Sequence, residues 1–375
     1  MKIAIIGAGP AGLYLSYLLK RRRARDEIRV FEQNPADATF GFGVVFSERA
    51  LEFLRDDDPV TYDAIVPAME SWSDITLDLE GRLVRIDGVG FSAIGRLELL
   101  RLLRERTGSA GIQVEYERPL ASLQEVRDAD LLVGADGVHS LVRKTYASAF
   151  GASVTELANR FAWFGTTRLF ETLTQTFRRS PHGSFNAHHY RYSPRMSTFI
   201  VETDEPTWRR AGFESMDAEA TRRYLETVFA DVLDGHALIS NKSAWRRFPQ
   251  VRNERWSADN ATLVGDALHT AHFSIGSGTR LAMEDAIALA GAIVTHEGDI
   301  RGAVRAYEAR RRPIVEKIVS ASDASAAWYE RFTEHMQRPP LEFAMGYITR
   351  SGRVDLERLR RSSPLFVEAY EAQLQ

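Results

Sequence analysis

Apolar residues follow two rhythms along this chain. Lys2–Ile6 is a short continuous apolar run, the mark of a fully buried strand, and residues 13–19 are an apolar run that predicts a helix. Residues 28–31 predict a second strand that ends at Glu32. Similar runs at 131–133 and 261–264 stop at Gly134-Ala135-Asp136-Gly137 and at Gly265-Asp266. In the middle of the chain the pattern turns to alternation. Residues 75–79 and 83–86 flank Glu80-Gly81, which predicts a hairpin, and residues 160–167, 184–192 and 198–202 alternate as strands of a sheet. Helices are expected over 97–103, 205–211 and 218–232, with a return strand at 243–248. From residue 300 onward the chain reads as helical and arginine-rich, broken at Pro339-Pro340.

This order predicts an α/β protein with a Rossmann-like nucleotide-binding domain, an interleaved β-sheet substrate domain and a helical C-terminal region. The expected division gives residues 1–70, 96–158 and 250–325 to the nucleotide unit and 71–95 and 159–249 to the substrate unit. Residues 326–375 form the tail, which is expected to pack on the nucleotide unit or to make an oligomer contact.

The first unit carries the clearest chemistry. Gly7-Ala8-Gly9-Pro10-Ala11-Gly12 stands between the first strand and helix. Gly7 suits the tight turn, Gly9 lets a pyrophosphate approach the backbone and Gly12 lets helix and strand pack closely. Glu32, about 20 residues beyond the last glycine, is placed for a ribose hydroxyl pair. This pattern predicts a bound dinucleotide without separating FAD from NAD. Asp266 follows a strand and so lies at the open end of a parallel sheet. The glycines of Gly276-Ser277-Gly278 let a turn crowd a flat ring, and the helix that follows offers unpaired N–H groups to an anion such as a reduced flavin.

Composition narrows the classes. The chain has 375 residues, 44% hydrophobic and 26% charged, enough for two interlocked domains, and a net charge of −3 that gives no reason to expect nucleic acid or an anionic membrane. There is no cysteine, which excludes disulfides, thiolate metal sites and a cysteinyl flavin. His188-His189 and His269-x-x-His272 lack a third ligand at suitable spacing, so no metal is expected. No signal-peptide pattern opens the chain and no run approaches the roughly 20 apolar residues of a membrane span, so a cytoplasmic protein is expected.

The three fingerprints Gly7–Gly12, Asp136-Gly137 and Gly265-Asp266, in this order, resemble those of the single-component FAD-dependent aromatic hydroxylases, the para-hydroxybenzoate hydroxylase-like class. A narrower resemblance rests on Gly41-Phe42-Gly43-Val44-Val45-Phe46-Ser47, on Met196 to Glu202 and on His269 to Thr279. These segments are similar to those of salicyloyl-CoA 5-hydroxylases, of the monooxygenase portion of 2-aminobenzoyl-CoA monooxygenase/reductase and of a hydroxylase from violacein biosynthesis. Many aromatic hydroxylases have proline where this chain has Phe273 and asparagine where it has Arg280.

The resemblance implies FAD as cofactor and NADH or NADPH as transient hydride donor. It implies O2 and an aromatic small-molecule substrate, foremost a CoA thioester, and a monomer or homodimer. Asp266 would bind the ribose or ribityl chain, Arg96 the FAD phosphates, and Asp136-Gly137 both FAD and NAD(P)H. Gln33, Val45, Gly276, Ser277, Gly278 and Thr279 complete the implied cofactor set with Gly7, Gly9, Pro10, Ala11, Gly12 and Glu32. The implied reaction hydroxylates an electron-rich ring through a flavin C4a-hydroperoxide, so no side chain needs to be a nucleophile.

His188, Tyr190 and Tyr192 occupy every second position of a predicted strand and share one face. If that face lines the pocket, His188 is the candidate to hydrogen-bond or deprotonate a phenol, with Tyr190 beside it. Otherwise the face is polar and partly solvated. His272 borders the expected ring site and could meet the substrate carbonyl or the activated oxygen, or only hold its loop. Three functions remain open: hydroxylation of an aromatic CoA thioester such as salicyloyl-CoA, hydroxylation of a free or tryptophan-derived aromatic, and a non-hydroxylating FAD/NAD(P)H redox flavoprotein.

Overall fold

A computed structural model describes residues 1–39, 41–47 and 51–374. The nucleotide unit is built on a six-stranded sheet ordered Ser257–Ala258, Ala261–Leu263, Leu131–Gly134, Lys2–Ile6, Glu27–Phe31 and Val114–Glu115. All its pairings are parallel except the first. Strands covered on both faces need no polar alternation, and Ile3, Ala4, Ile5 and Ile6 are all buried. Helix Pro10–Arg22 packs between helices Arg96–Ser109 and Gly278–Thr295.

The second unit is an eight-stranded sheet. Its center is Ala152–Thr166, Met196–Thr203, Gly183–Ser193 and Leu173–Ser180, antiparallel in that order, with Ile75–Leu79 parallel at the far side. Alternation sorts the faces. Phe185, Ala187, Phe199 and Val201 enter one core with Ala162 and Phe164, under helices Glu205–Arg210 and Ala218–Val228. The intervening residues look toward the nucleotide unit and the C-terminal helices. The return strand is Arg246–Asn253, later than the pattern suggested, and it pairs along Ala152–Thr166. A third, small sheet of Gly43–Ser47, Phe91–Gly95 and Glu70–Trp72 packs against Gly183–Ser193 and joins the two units.

The tail is helical, and its apolar core packs on the large sheet, while Arg350 touches the nucleotide unit at Ser274 and Ser325. Phe332, Phe343, Ala344, Tyr347, Ile348 and Phe366 share a core with Ile75, Leu77, Leu79, Phe177 and Tyr190 of the large sheet. The physical reason is the spacing of Phe343, Ala344, Tyr347 and Ile348, which gives helix Pro340–Thr349 one apolar stripe that fits the apolar face of that sheet. Helix Ile300–Tyr329 bridges the cores, with Val304, Tyr307 and Val315 in the first and Tyr329 in the second. Among the described residues no helix is long and apolar enough to cross a membrane.

Candidate active site

The glycines of the first turn do three different things. Gly7 has φ +104, and a Cβ there would lie 2.3 Å from the Ala135 carbonyl oxygen. A Cβ on Gly12 would lie 2.0 Å from the Gly7 carbonyl oxygen, so this pair sets how closely helix and strands approach. A Cβ on Gly9 would meet nothing within 4 Å, which leaves the backbone open to a ligand. Gly9 is also the N-cap of helix Pro10–Arg22 and supplies no side-chain cap, so the first N–H groups remain available to a phosphate. Glu32 accepts the Ala8 N–H at 2.9 Å and the Asn34 N–H at 2.9 Å, which fixes the carboxylate at the mouth of this turn, with Gln33 exposed beside it.

Asp136 serves the backbone first. Its Oδ2 accepts the N–H groups of Leu141 at 2.6 Å and Val142 at 3.3 Å, while its buried Oδ1 has no partner among the described residues. Burial raises its pKa. Arg143, one turn on, donates to the carbonyls of Ala267 and Val138 and so ties the Asp136-Gly137 segment to Gly265-Asp266.

Asp266 is exposed at its surface, yet protein surrounds it closely enough that burial raises its pKa, opposed by the nearby Arg96. Arg96 opens helix Arg96–Ser109 and donates its N–H to Phe42 at 2.7 Å. No ion-pair partner of its guanidinium lies among the described residues, and burial lowers its pKa despite Asp266. The turn behind Asp266 is fixed by a buried cluster. Asp285 accepts the Gly265 N–H at 3.1 Å, His269 Nε2 at 2.8 Å and Arg311 Nε at 3.0 Å. Burial alone would raise the Asp285 pKa, but His269 and Arg311 hold it below the ordinary value.

Helix Gly278–Thr295 begins at Ser277, whose hydroxyl is turned to the Ile275 carbonyl rather than to the helix N–H groups. A Cβ on Gly278 would meet nothing within 4 Å, whereas one on Gly276, at φ +59, would come within 3.0 Å of Val45. The uncapped helix end, with Thr279 in its first turn, therefore faces open space beside Val45. These features fit FAD: two uncapped helix N-termini, an open glycine at each, and Glu32, Arg96 and Asp266 around them.

On the large sheet His188, Tyr190 and Tyr192 share one face, as their spacing predicts, with His188 opposite Ile200 and Tyr190 opposite Thr198. The face is buried, with His188 and Tyr190 each 4% exposed, which corrects the alternative of a partly solvated surface. The C-terminal helices and the 41–47 segment cover it. Tyr190 donates to the Gly43 carbonyl at 3.1 Å, and Thr198 Oγ1 accepts the Gly43 N–H at 2.9 Å. The Tyr190 hydroxyl thus holds the 41–47 segment.

His188 has different company. Its Nε2 lies 3.4 Å from Glu202 Oε2, and the other oxygen of Glu202 accepts Asn159 Nδ2 at 2.8 Å. Its ring stands edge-on to Phe273, with centroids 5.1 Å apart, and 4.9 Å from Tyr329. Burial pulls the His188 pKa down to about 3 and that of His272 to about 4, while burial raises that of Glu202. Both histidines are neutral at neutral pH. His269 and His272 do not converge, since His269 bonds Asp285 and His272 bonds Ser274 through Nδ1 at 2.8 Å.

Sequence reasoning gave no role to Glu202, Thr198 or Asn159. Glu202 carried one signal: the sole charged residue of its strand, in phase with Thr198 and Ile200 and so on the face that pairs with His188 and Tyr190.

A family model described as an FAD binding domain matches residues 101–322. The chain is 42% identical to salicyloyl-CoA 5-hydroxylase of a Streptomyces species over 94% of this chain and 70% of that protein. It is 36% identical to 3-hydroxy-4-methyl-anthranilyl-[aryl-carrier protein] 5-monooxygenase of Streptosporangium sibiricum, over 89% of this chain and 90% of that one. Its fold matches 2-methyl-3-hydroxypyridine-5-carboxylic acid oxygenase with a TM-score of 0.74 at 18% identity, over 94% of this chain and 98% of that one.

Proposed function

This chain belongs to the FAD-dependent aromatic monooxygenases, and from that premise we propose that it hydroxylates the ring of an aromatic acyl group carried as a CoA thioester, salicyloyl-CoA or a near analogue, with NAD(P)H as electron donor. When bound, FAD supplies the electrons that activate dioxygen for transfer to an electron-rich ring. Gly9, Glu32, Arg96, Asp266 and the N–H groups at 278–280 would hold it.

The observation that carries the reading is the pair of buried histidines packed on the same Phe273 ring, His188 from the sheet and His272 from the loop before the uncapped helix. Glu202 faces His188 Nε2, which leaves Nδ1 to accept a hydrogen from a phenol or aniline substituent. A pKa near 3 makes His188 a hydrogen-bond acceptor that polarizes the substituent rather than a base that keeps its proton. Phe273 and Tyr329 exclude water around it. The 42% identity to a salicyloyl-CoA 5-hydroxylase supports the acyl carrier.

The test is mass spectrometry of products from FAD-loaded protein with NADH or NADPH, oxygen and salicyloyl-CoA, with free salicylate in parallel. One added oxygen on the thioester is expected. Oxygen added to free salicylate alone would overturn the carrier. His188→Ala is expected to lower turnover at least tenfold with FAD content unchanged, and unchanged turnover would remove His188 from the reaction.

A further inference from the structure

The loop over 272–277 is held from behind by the C-terminal helices, which the proposed reaction has so far left without a part. Arg350, just past helix Pro340–Thr349, donates from Nε to Ser325 Oγ at 2.9 Å and from Nη2 to the Ser274 carbonyl at 2.8 Å. Its third contact is the Tyr347 carbonyl at 2.6 Å, and its guanidinium lies over the Tyr347 ring at 3.9 Å. Ser325 Oγ is 2.8 Å from Ser274 Oγ, which is 2.8 Å from His272 Nδ1. Ser322, one turn before Ser325, accepts the His272 backbone N–H.

The direction of this chain of hydrogen bonds is set at its histidine end. Nδ1 accepts, so Ser274 gives its own hydrogen to Nδ1 and takes that of Ser325, which in turn accepts from Arg350, a guanidinium that only donates. The Ser274 backbone N–H also points at Nδ1, at 3.4 Å, and a backbone N–H cannot accept. A ring nitrogen that accepts carries no hydrogen, so the neutral imidazole bears its proton on Nε2, for which no partner lies among the described residues.

We propose that Arg350 is a positioning residue which, through Ser325 and Ser274, fixes His272 as the Nε2–H tautomer, so that the loop offers a donor to an acceptor oxygen of the bound ligand. A carbonyl oxygen of an aromatic acyl group is such an acceptor. Together the two histidines then present opposite hydrogen-bonding characters, acceptor at His188 and donor at His272. The inference rests on the reading that this loop borders the reacting ring.

The test is a long-range 1H–15N NMR correlation on FAD-loaded protein labeled with 15N-histidine, with His272 assigned by the signals lost in His272→Asn. Wild type is expected to show protonated Nε2 and unprotonated Nδ1 at His272. Arg350→Met is expected to give a tautomer mixture, and so is Ser325→Ala, which keeps the guanidinium and carries the test if Arg350→Met fails to fold. Arg350→Lys, which retains a donor, is expected to restore part of the Nε2–H population. With a substrate the same variants should lose at least threefold in product formed per NAD(P)H consumed, at unchanged FAD content. A wild-type His272 protonated on Nδ1 would overturn the proposal, and so would Nε2–H retained in both variants. The tautomer is read without substrate. A shifted tautomer in an enzyme that hydroxylates no CoA thioester would therefore sink the substrate reading and leave Arg350 its role. Equal hydroxylation and unchanged tautomers in all variants would do the reverse.

Discussion

The proposed cofactor cradle and the proposed substrate face would solve the same problem, holding a ligand where water is scarce, with different materials. Around Gly7, Gly9 and Gly12 the ligand-facing groups are backbone N–H groups at helix ends, placed by a contiguous stretch in which one glycine tolerates a positive φ and another a close carbonyl. Around His188 they are side chains from four separate segments: Asn159 and Glu202 on neighboring strands, His272 on a loop and Tyr329 at the end of a long helix. A backbone cradle works through local geometry and binds what many proteins bind. A face of side chains can be retuned one residue at a time, and it has to satisfy every polar atom it buries.

The comparison breaks most sharply at the glycines. Gly12→Ala would push a methyl against the Gly7 carbonyl and is expected to cost about 3 kcal/mol by overpacking, seen as a lower unfolding midpoint of FAD-free protein. Gly9→Ala meets no protein atom, so FAD-free stability should hold while FAD affinity, measured by flavin fluorescence titration, falls roughly tenfold or more. Equal destabilization by both would mean that Gly9 is structural.

In the proposed substrate region, Glu202→Ala strands His188 Nε2 and leaves Asn159 Nδ2 only its bond to the Tyr329 carbonyl, and it is expected to cost about 1–3 kcal/mol. Turnover should fall with it while the FAD dissociation constant stays within twofold. A parallel loss of FAD would dissolve the distinction between the two regions.

Acid should act on the substrate face before the cradle. The folded-state pKa values of His188 and His272 lie below 6.5, so the unfolded chain takes up protons first. Their contribution to stability is complete above pH 6.5 and is lost as pH falls toward 4, by about 0.7 kcal/mol each between pH 7 and pH 6. Glu202, with its pKa raised, works the other way, since the folded state takes up its proton first. Urea unfolding at the two pH values checks the sign, and His272→Asn should flatten the slope.

The smallest effect is expected at Tyr190→Phe, which removes one neutral hydrogen bond to Gly43, about 1 kcal/mol or less. Turnover within threefold of wild type would keep Tyr190 as a support of the 41–47 segment. A tenfold loss would return it to the chemistry.

Much of this molecule was legible in one dimension. Strand Lys2–Ile6, the helix after it, the parallel sheet and the shared face of His188, Tyr190 and Tyr192 follow from apolar runs and from a period of two, which are properties of neighbors in sequence. The three glycine-and-aspartate turns followed for the same reason, because a tight turn at a strand end needs its own residues and few others. What the chain could not announce was which of its polar residues would meet. Glu202 reaches His188 only because two strands pair in one register. Asp285 reaches Gly265 and Arg311 only because two helices cross behind the turn. Arg350 reaches Ser274 only because the tail, packed on the large sheet, ends a helix beside that loop. Local sequence determined the glycine turns proposed to hold the cofactor and the phase of each strand, since backbone geometry is local. Packing in three dimensions decided the hydrogen-bonding character of the proposed substrate face, since a buried polar side chain takes its role from whichever distant partner packing brings within about 3 Å.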